Sequence, residues 1–442
     1  YKGFVYIIKK GLDLPISGNP TPEIEDSSKI SSVAILGSDF VGLKPTMLVK
    51  VGDFVQAGQK IIEDKKNPGV FITAPSSGTI SSVNRGEKRR FISIEIDVNE
   101  ADDFKVFNKT STKNEIIELL QDSGLWSAFR TRPFNRTPKI GTTPDAIFIN
   151  ACDTNPLSSD PHNIIKEDQN LFNLGLLTLC EAFNLPIHCC YQNDNFNTTI
   201  DSVEYHQFSG PHPAGLTSTH IHNIYPVGQE RLVWTLNYQE CISLGYLIKN
   251  QSIRTSKVIA LCGEGVADPK LIRTRYGANI SSLTAGRVND KSRIISGSVL
   301  YGHSADSAMD YIGAFHNQVS AIPNEYDEPF MSWLMPGSTI HSKLNVFLSS
   351  FIKPKSFTFN TAMNGSDRAI VPICSYEEVM PMDILVVQLL KALATYDLEM
   401  LIDLGVLELS DEDMALCSYV CPSKYDYSSL LSKNLEMIYN EI

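Results

Sequence analysis

The sequence predicts a multidomain α+β protein, and three observations carry that reading. Short apolar runs separated by glycine-rich turns fill the first hundred residues. A strand–helix–strand pattern follows between residues 113 and 191, and the last sixty residues turn to helical periodicity. With 442 residues the chain also exceeds what one hydrophobic core holds, so about three domains or more are expected.

The first unit, residues 1–105, is read from Val33-Ala34-Ile35-Leu36 and Met47-Leu48-Val49-Lys50-Val51 as strands, with turns at Gly52-Asp53 and Ser77-Gly78. Val49-Lys50-Val51-Gly52-Asp53-Phe54-Val55-Gln56-Ala57-Gly58-Gln59, followed by Ala74-Pro75-Ser76-Ser77-Gly78, resembles the half-motif of a biotinyl/lipoyl barrel-sandwich. Gly52-Asp53 suits a tight turn and Gly58 tolerates positive φ. In carrier domains a lysine on the intervening hairpin holds the prosthetic group. Here the hairpin reads Glu63-Asp64-Lys65-Lys66-Asn67-Pro68-Gly69. Asn67-Pro68-Gly69 lengthens the turn and displaces the lysine, so the expectation is a scaffold and not a carrier.

The second unit, residues 106–255, is expected to be Rossmann-like α/β, with helices at Asn114–Leu120 and Leu171–Phe183 and buried strands at Ile147–Ile149 and Ile187–Tyr191. Within it, the segment from Ser123 to Phe134 reads either as an interface or as a helix ending before Pro133. The third, residues 256–345, has strands at Lys257–Leu261 and Arg293–Ile295 around a short helix near Ile280–Leu283, which fits a β-grasp-like module. The fourth, residues 346–442, is helical, with amphipathic stretches at Val386–Tyr396, Glu399–Leu404 and Ser428–Ile438.

Charge narrows the function. Thirty-eight basic against 50 acidic side chains leave a formal −12, and such a chain gains no counterion-release energy from nucleic acid. The most apolar stretch, Asp383 to Ala394, is too short to cross a bilayer and contains Lys391. It is expected to be a core-facing helix. Lys2, Lys9 and Lys10 flank only Phe4–Ile8, too short for a secretory h-region. Nine cysteines, an odd set, are expected as free thiols.

Two motifs suggest chemistry and then withdraw it. Cys262-Gly263-Glu264-Gly265-Val266-Ala267-Asp268 begins like a dinucleotide fingerprint, but its sixth position is acidic and Pro269 follows. Cys417-Ser418-Tyr419-Val420-Cys421-Pro422 ends like a four-cysteine iron–sulfur sequence, yet Asp411 and Met414 stand where the other ligands belong. Two thiolates do not close a cubane, and the segment is read as a vestige. His220 and His222 would share a face if Thr219–Ile224 were a strand, but no third ligand lies at motif spacing, so no metal site is expected. No catalytic residue and no cofactor-binding residue is identified. The candidates for quinone or partner contact are Arg130, Arg132, His212, His220 and His222.

Seven collinear segments resemble the A subunit of the sodium-translocating NADH:quinone oxidoreductase. They are Ile8–Gly18, Glu63–Val70, Ser123–Phe134, Asp153–Leu157, Gly210–His222, Arg293–Leu300 and Asn364–Arg368, with the residues before Ile7 falling outside. The resemblance implies a peripheral subunit at the cytoplasmic face of the bacterial inner membrane, with no transmembrane segment or prosthetic group of its own. It implies docking on the membrane-embedded, quinone-reactive B subunit, and also on the C subunit. FMN, FAD, riboflavin and iron centres are then expected on partner subunits, with ubiquinone as substrate of the complex and the isolated chain not catalytic. The same fold lineage includes the flavin-binding subunit of complex I and the C subunit of the Rnf complex. The third unit would then be a soluble-ligand-binding-like domain. The alternative reading is an independent Rnf-C-like electron-transfer subunit binding NADH or flavin.

Overall fold

The computed structural model describes residues 3–324, 334–366 and 368–441. Lys2, Asp367 of the segment Asn364–Arg368, and positions 325–333 of the expected third unit lie outside these residues.

The chain begins by lending two strands to units formed much later. Phe4–Ile7 pairs in parallel with Glu204–Ser209, and Thr21–Asp26 pairs in parallel with Lys270–Arg275. Two segments of the expected first unit, residues 1–105, thus pair outside the barrel. Each segment supplies the backbone partners that an edge strand would otherwise lack.

The barrel proper consists of two facing sheets. Ser32–Leu36, Phe91–Val98, Gly78–Arg85 and Phe54–Val55 form one, and Pro45–Met47, Lys60–Asp64 and Phe71–Thr73 the other. Of the stretch expected as a strand over Met47–Val51, only Met47 is paired. The chain then bends into the turn at Gly52, whose φ of +93° fits the glycine there. Val33, Ile61, Ile80 and Ile94 fill the interior together with Ile259, Leu261, Ile272 and Val319 of the third unit, so the two units share one core.

The α/β unit holds a six-stranded sheet in the order Phe4–Ile7, Glu204–Ser209, Ile187–Tyr191, Ala146–Ala151, Val233–Asn237, Arg130–Arg132, parallel except for the last strand. The first helix, Lys113–Asp122, starts at a capping box of Thr112 and Glu115. Helices Gln169–Phe183 and Tyr238–Asn250 cover one face over Trp126, Phe129, Phe172 and Trp234. They cross at glycine: a Cβ on Gly245 would lie 1.9 Å from the Leu171 carbonyl oxygen, and one on Gly175 2.1 Å from that of Cys241.

The opposite face is covered by the helix Thr217–Ile224, so the strand considered over Thr219–Ile224 does not form. Buried Ile221, with Ile224 and Tyr225 packed alongside three and four residues on, recurs at helical spacing, and that periodicity prevails over local propensity. The Ser123–Phe134 segment is likewise not a helix ending at Pro133. It is a single 3₁₀ turn, Leu125–Ala128, leading into the edge strand Arg130–Arg132.

The third unit is a mixed six-stranded sheet ordered Gly302–Ser304, Ser292–Gly297, Gln318–Pro323, Ser256–Cys262, Lys270–Arg275, Thr21–Asp26, with Ser256–Cys262 and Gln318–Pro323 parallel at its centre. Helix Ile280–Thr284 packs Ile280 and Leu283 into the shared core. The C-terminal unit gathers Val386–Thr395, Leu398–Asp403, Ala415–Val420 and Tyr427–Glu441 around Leu389, Leu393, Met414 and Leu431. As expected, the apolar stretch from Asp383 is a core helix, though it begins at Val386. Among the described residues no helix is long and apolar enough to cross a membrane.

The glycine crossing is testable. Gly245→Val should overpack it and destabilise the chain by roughly 1–3 kcal/mol, read as a lowered midpoint in thermal unfolding followed by circular dichroism. An unchanged midpoint would mean the helices do not approach as described.

Candidate functional site: a cavity where three units meet

Arg130 organises the junction of the barrel, the α/β unit and the third sheet. It projects from the edge strand Arg130–Arg132 and is 7% exposed. One guanidinium nitrogen donates to the carbonyls of Ser127 (2.9 Å) and Phe129 (3.0 Å) and to the Thr137 hydroxyl (3.1 Å), and another to the Asp39 carbonyl at 2.9 Å. Its plane lies 3.8 Å from the Phe315 ring centre and 5.3 Å from that of Phe40. Burial pulls its pKa down to about 9, partly opposed by the Asp39 carboxylate, so it remains charged at neutral pH.

Around it stand three further ionisable groups. Asp39 accepts from the Ala314 amide at 2.8 Å, and burial raises its pKa. Lys257, at the head of strand Ser256–Cys262, is buried; its ammonium donates to the Ala314 carbonyl at 2.7 Å and lies 3.9 Å from Glu240. Desolvation lowers the Lys257 pKa, with Glu240 opposing. Glu240 is buried at the start of helix Tyr238–Asn250, and its Oε2 has no hydrogen-bond partner. An unpaired buried carboxylate oxygen is costly, and here it borders open space.

That space is a cavity of about 150 Å³. Phe40 and Ile72 of the barrel, Leu125 of the α/β unit and Phe315 of the third unit make apolar walls. Glu240 and the Ser243–Tyr276 hydroxyl pair, 2.9 Å apart, make a polar end. Apolar walls with a few convergent polar groups are the usual composition of a small-molecule site. Sequence reasoning does not single out Asp39, Lys257 or Glu240. The one available signal is a lysine heading the apolar run Val258–Leu261.

The remaining sequence candidates are dispersed. Arg132 is buried at the seam with the C-terminal unit, donating to Asn135 Oδ1 at 2.6 Å and lying 3.9 Å from Glu412. Burial and the adjacent Asp413 raise the Glu412 pKa. The buried His212 ring is 3.2 Å from the Thr154 hydroxyl, while its amide donates to Asp13 at 2.9 Å. His220 is buried, with Nε2 2.9 Å from the Ala214 carbonyl. Burial lowers the pKa of His212 to about 4 and that of His220 to about 3. His222 reaches the C-terminal unit, with Nδ1 2.8 Å from Glu408 and Nε2 accepting from the Asp383 amide at 3.0 Å. Two residues apart on a helix, His220 and His222 do not share a face. Among the described residues, the one group of three potential metal ligands is His188, Glu204 and His206.

The carrier and nucleotide motifs also resolve. Lys65 and Lys66 are exposed, but the hairpin beside them is fastened: Asn67 is buried, donates to the Pro138 carbonyl at 2.9 Å and accepts from the Ile140 amide at 3.2 Å. A tethered tip does not swing between active sites. After strand Ser256–Cys262 the chain turns directly into the antiparallel strand Lys270–Arg275, with no helix N-terminus to receive a pyrophosphate. Cys417 and Cys421 are both buried in the C-terminal core.

Comparison with known proteins agrees with this architecture. The family model described as "NqrA N-terminal barrel-sandwich hybrid domain" matches residues 6–99. "NqrA second alpha/beta domain" matches residues 111–253, and "NQRA C-terminal domain" matches residues 258–307. The chain is 47% identical to the A subunit of the Na(+)-translocating NADH-quinone reductase of Neisseria meningitidis serogroup C, over 98% of this chain and 99% of that one. It is 46% identical to the Haemophilus influenzae Rd protein of the same name, with the same coverage. Among solved structures, an air-oxidized NAD+-reducing [NiFe]-hydrogenase aligns at 12% identity and a TM-score of 0.36, over 48% of this chain and 47% of that one. That similarity is too low to carry an argument.

The seam with the C-terminal unit should loosen as pH rises. Glu408 raises the His222 pKa above its ordinary 6.5, so the stabilisation is full below that value and is lost as pH climbs through the raised one. The raised Glu412 acts in the same direction, since its half-buried charge appears as pH rises. Hydrogen exchange over Leu398–Val420 should therefore accelerate beyond the intrinsic rate as pH rises through about 7, and His222→Gln should flatten much of that dependence. A pH-independent protection factor in the parent chain would contradict the assignment.

Proposed function

The chain belongs to the A-subunit family of the Na(+)-translocating NADH-quinone reductase, and from that premise we propose that it is the peripheral component supporting quinone reduction coupled to sodium export. The observation that carries this reading is the full-length match: 47% identity over 98% of the chain, with all three family domains in order. In this reading it docks on the membrane-embedded B subunit, with the C subunit nearby, at the cytoplasmic face of the inner membrane. FMN, FAD, riboflavin and iron centres reside on partners. An independent Rnf-C-like electron carrier is disfavoured, because Asp411 and Met414 replace two of the four cysteines such a cluster sequence needs.

We read the units as a biotinyl/lipoyl-like barrel-sandwich, a Rossmann-like domain, a β-grasp module of the soluble-ligand-binding type and a helical domain. Their boundaries fall near residues 105, 255 and 345, and residues 4–7 and 21–26 are lent across them.

The cavity under Arg130 is our candidate for approach of the ubiquinone headgroup. A space of about 150 Å³ accommodates one six-membered ring. The Tyr276–Ser243 pair supplies a hydroxyl donor for a quinone carbonyl, and the unpaired Glu240 oxygen an acceptor for a quinol hydroxyl. Arg130 is a positioning residue, holding Phe40 and Phe315 as walls, and Arg132, His212, His220 and His222 secure the surrounding seams.

In the whole complex, a photoreactive ubiquinone analogue should label residues lining this cavity. Tyr276→Phe should raise the quinone KM by roughly 3–10-fold, the worth of one hydrogen bond, with kcat little changed. Labelling confined to the partner proteins, together with an unaltered KM, would remove the quinone from this chain. Failure of the chain to co-purify with the membrane components would remove its assignment to the complex.

A further inference from the structure

At the opposite end of the α/β sheet from the cavity's edge strand, the parallel strands Ile187–Tyr191 and Glu204–Ser209 are in register as His188 beside Glu204 and Cys190 beside His206. Alternation along each strand then places His188, Glu204 and His206 on one face. The three side chains converge. His188 Nδ1 lies 3.1 Å from His206 Nε2 and 3.4 Å from Glu204 Oε2, and His206 Nε2 lies 3.8 Å from the same carboxylate oxygen.

These separations have a familiar scale. Ligand atoms held about 2.0–2.1 Å from a tetrahedral zinc ion stand roughly 3.3 Å from one another. The surroundings restrict the rings. Phe148 packs on His188 with centroids 4.8 Å apart, and Phe4 and Tyr6 lie about 6 Å from His206, Phe4 stacked and Tyr6 tilted. Both imidazoles are buried, while Glu204 keeps 63% of its side chain exposed and opens the cluster to solvent.

Neutral rings can share one proton between His188 Nδ1 and His206 Nε2 at 3.1 Å. That single hydrogen leaves Glu204 Oε2, 3.4 and 3.8 Å from the two nitrogens, without a hydrogen bond of ordinary length to either ring. A single divalent cation gives all three lone pairs a common partner.

We propose that His188, Glu204 and His206 form a three-ligand site for a borderline divalent cation of the zinc type, with its fourth position open toward solvent. The ligand set is a two-histidine, one-carboxylate combination of the kind zinc accepts while keeping an exchangeable position. The site fastens adjacent strands next to Phe4–Ile7, the edge strand that the N-terminus contributes.

The test uses the full-length, untagged chain, stripped with chelator and kept reduced, in a Cys374→Ser background that removes the exposed thiol. Titration with ZnCl₂ should give one tight site per chain, and Co²⁺ should give visible absorption bands of a four- or five-coordinate nitrogen/oxygen site. Glu204→Gln, at an exposed position, should weaken zinc binding at least tenfold. His188→Asn should abolish both the cobalt bands and any zinc-induced rise in thermal midpoint. No stoichiometric binding would overturn the proposal, and so would binding that both variants leave intact.

Discussion

The structure depends on backbone pairing by the first twenty-six residues. Two sheets formed from distant parts of the chain each end in an edge, and each edge is completed by an N-terminal strand, Phe4–Ile7 in one case and Thr21–Asp26 in the other. Burying such an edge without partners would leave a row of unsatisfied amides and carbonyls. The connection between the two strands is itself held, since the Leu12 amide donates to the His212 carbonyl and the Gly263 amide to the Gly18 carbonyl, at 2.8 and 2.9 Å. The barrel follows this double anchor and shares a core with the third unit through Val33, Ile94, Ile259 and Leu261. The units are therefore interlocked and cannot be treated as beads on a string.

Interlocking places charge where a linear chain would not. Arg130 comes from the α/β sheet, Asp39 from the barrel, Lys257 and Phe315 from the third unit, and they meet at one junction. Two of their hydrogen bonds cross between units, Arg130 to the Asp39 carbonyl and the Ala314 amide to the Asp39 carboxylate, and the others brace each unit from within. Glu240 is the exception, with one oxygen unpaired beside the cavity. Where a packed junction leaves one polar group unsatisfied against open space, ligand chemistry has somewhere to act.

Local pattern is legible in the sequence wherever one face of an element is buried. The helix Gln169–Phe183, the strands Ile187–Tyr191 and Ser256–Cys262 and the C-terminal helices stand where their periodicity puts them. The turn at Gly52 follows from its residues, whereas the fastening of Asn67 to Pro138 does not. What the sequence hides is everything set by long-range pairing. Residues 4–7 carry no signal that they belong to a sheet about two hundred residues away. Thr217–Ile224 is ambiguous because β-branched propensity and apolar spacing disagree there. Arg130 and Arg132 stand out together, yet they serve different seams, since alternate residues of a strand share a face but the partner units differ. His188 and His206 give no local signal, because only the register of two neighbouring strands unites the ligands. The family resemblance is legible because it needs only collinear segments and no geometry.

The proposed role leaves prosthetic groups to partner subunits and this chain's own side chains to positioning and assembly. The most direct measurement is the ultraviolet–visible spectrum of the purified, untagged chain, recorded as isolated and after additions of NADH and dithionite. No band is predicted above about 400 nm in any of the three spectra, a region where neither aromatic side chains nor added NADH absorb and flavins and iron–sulfur clusters do. A stoichiometric band that bleaches on reduction would contradict it.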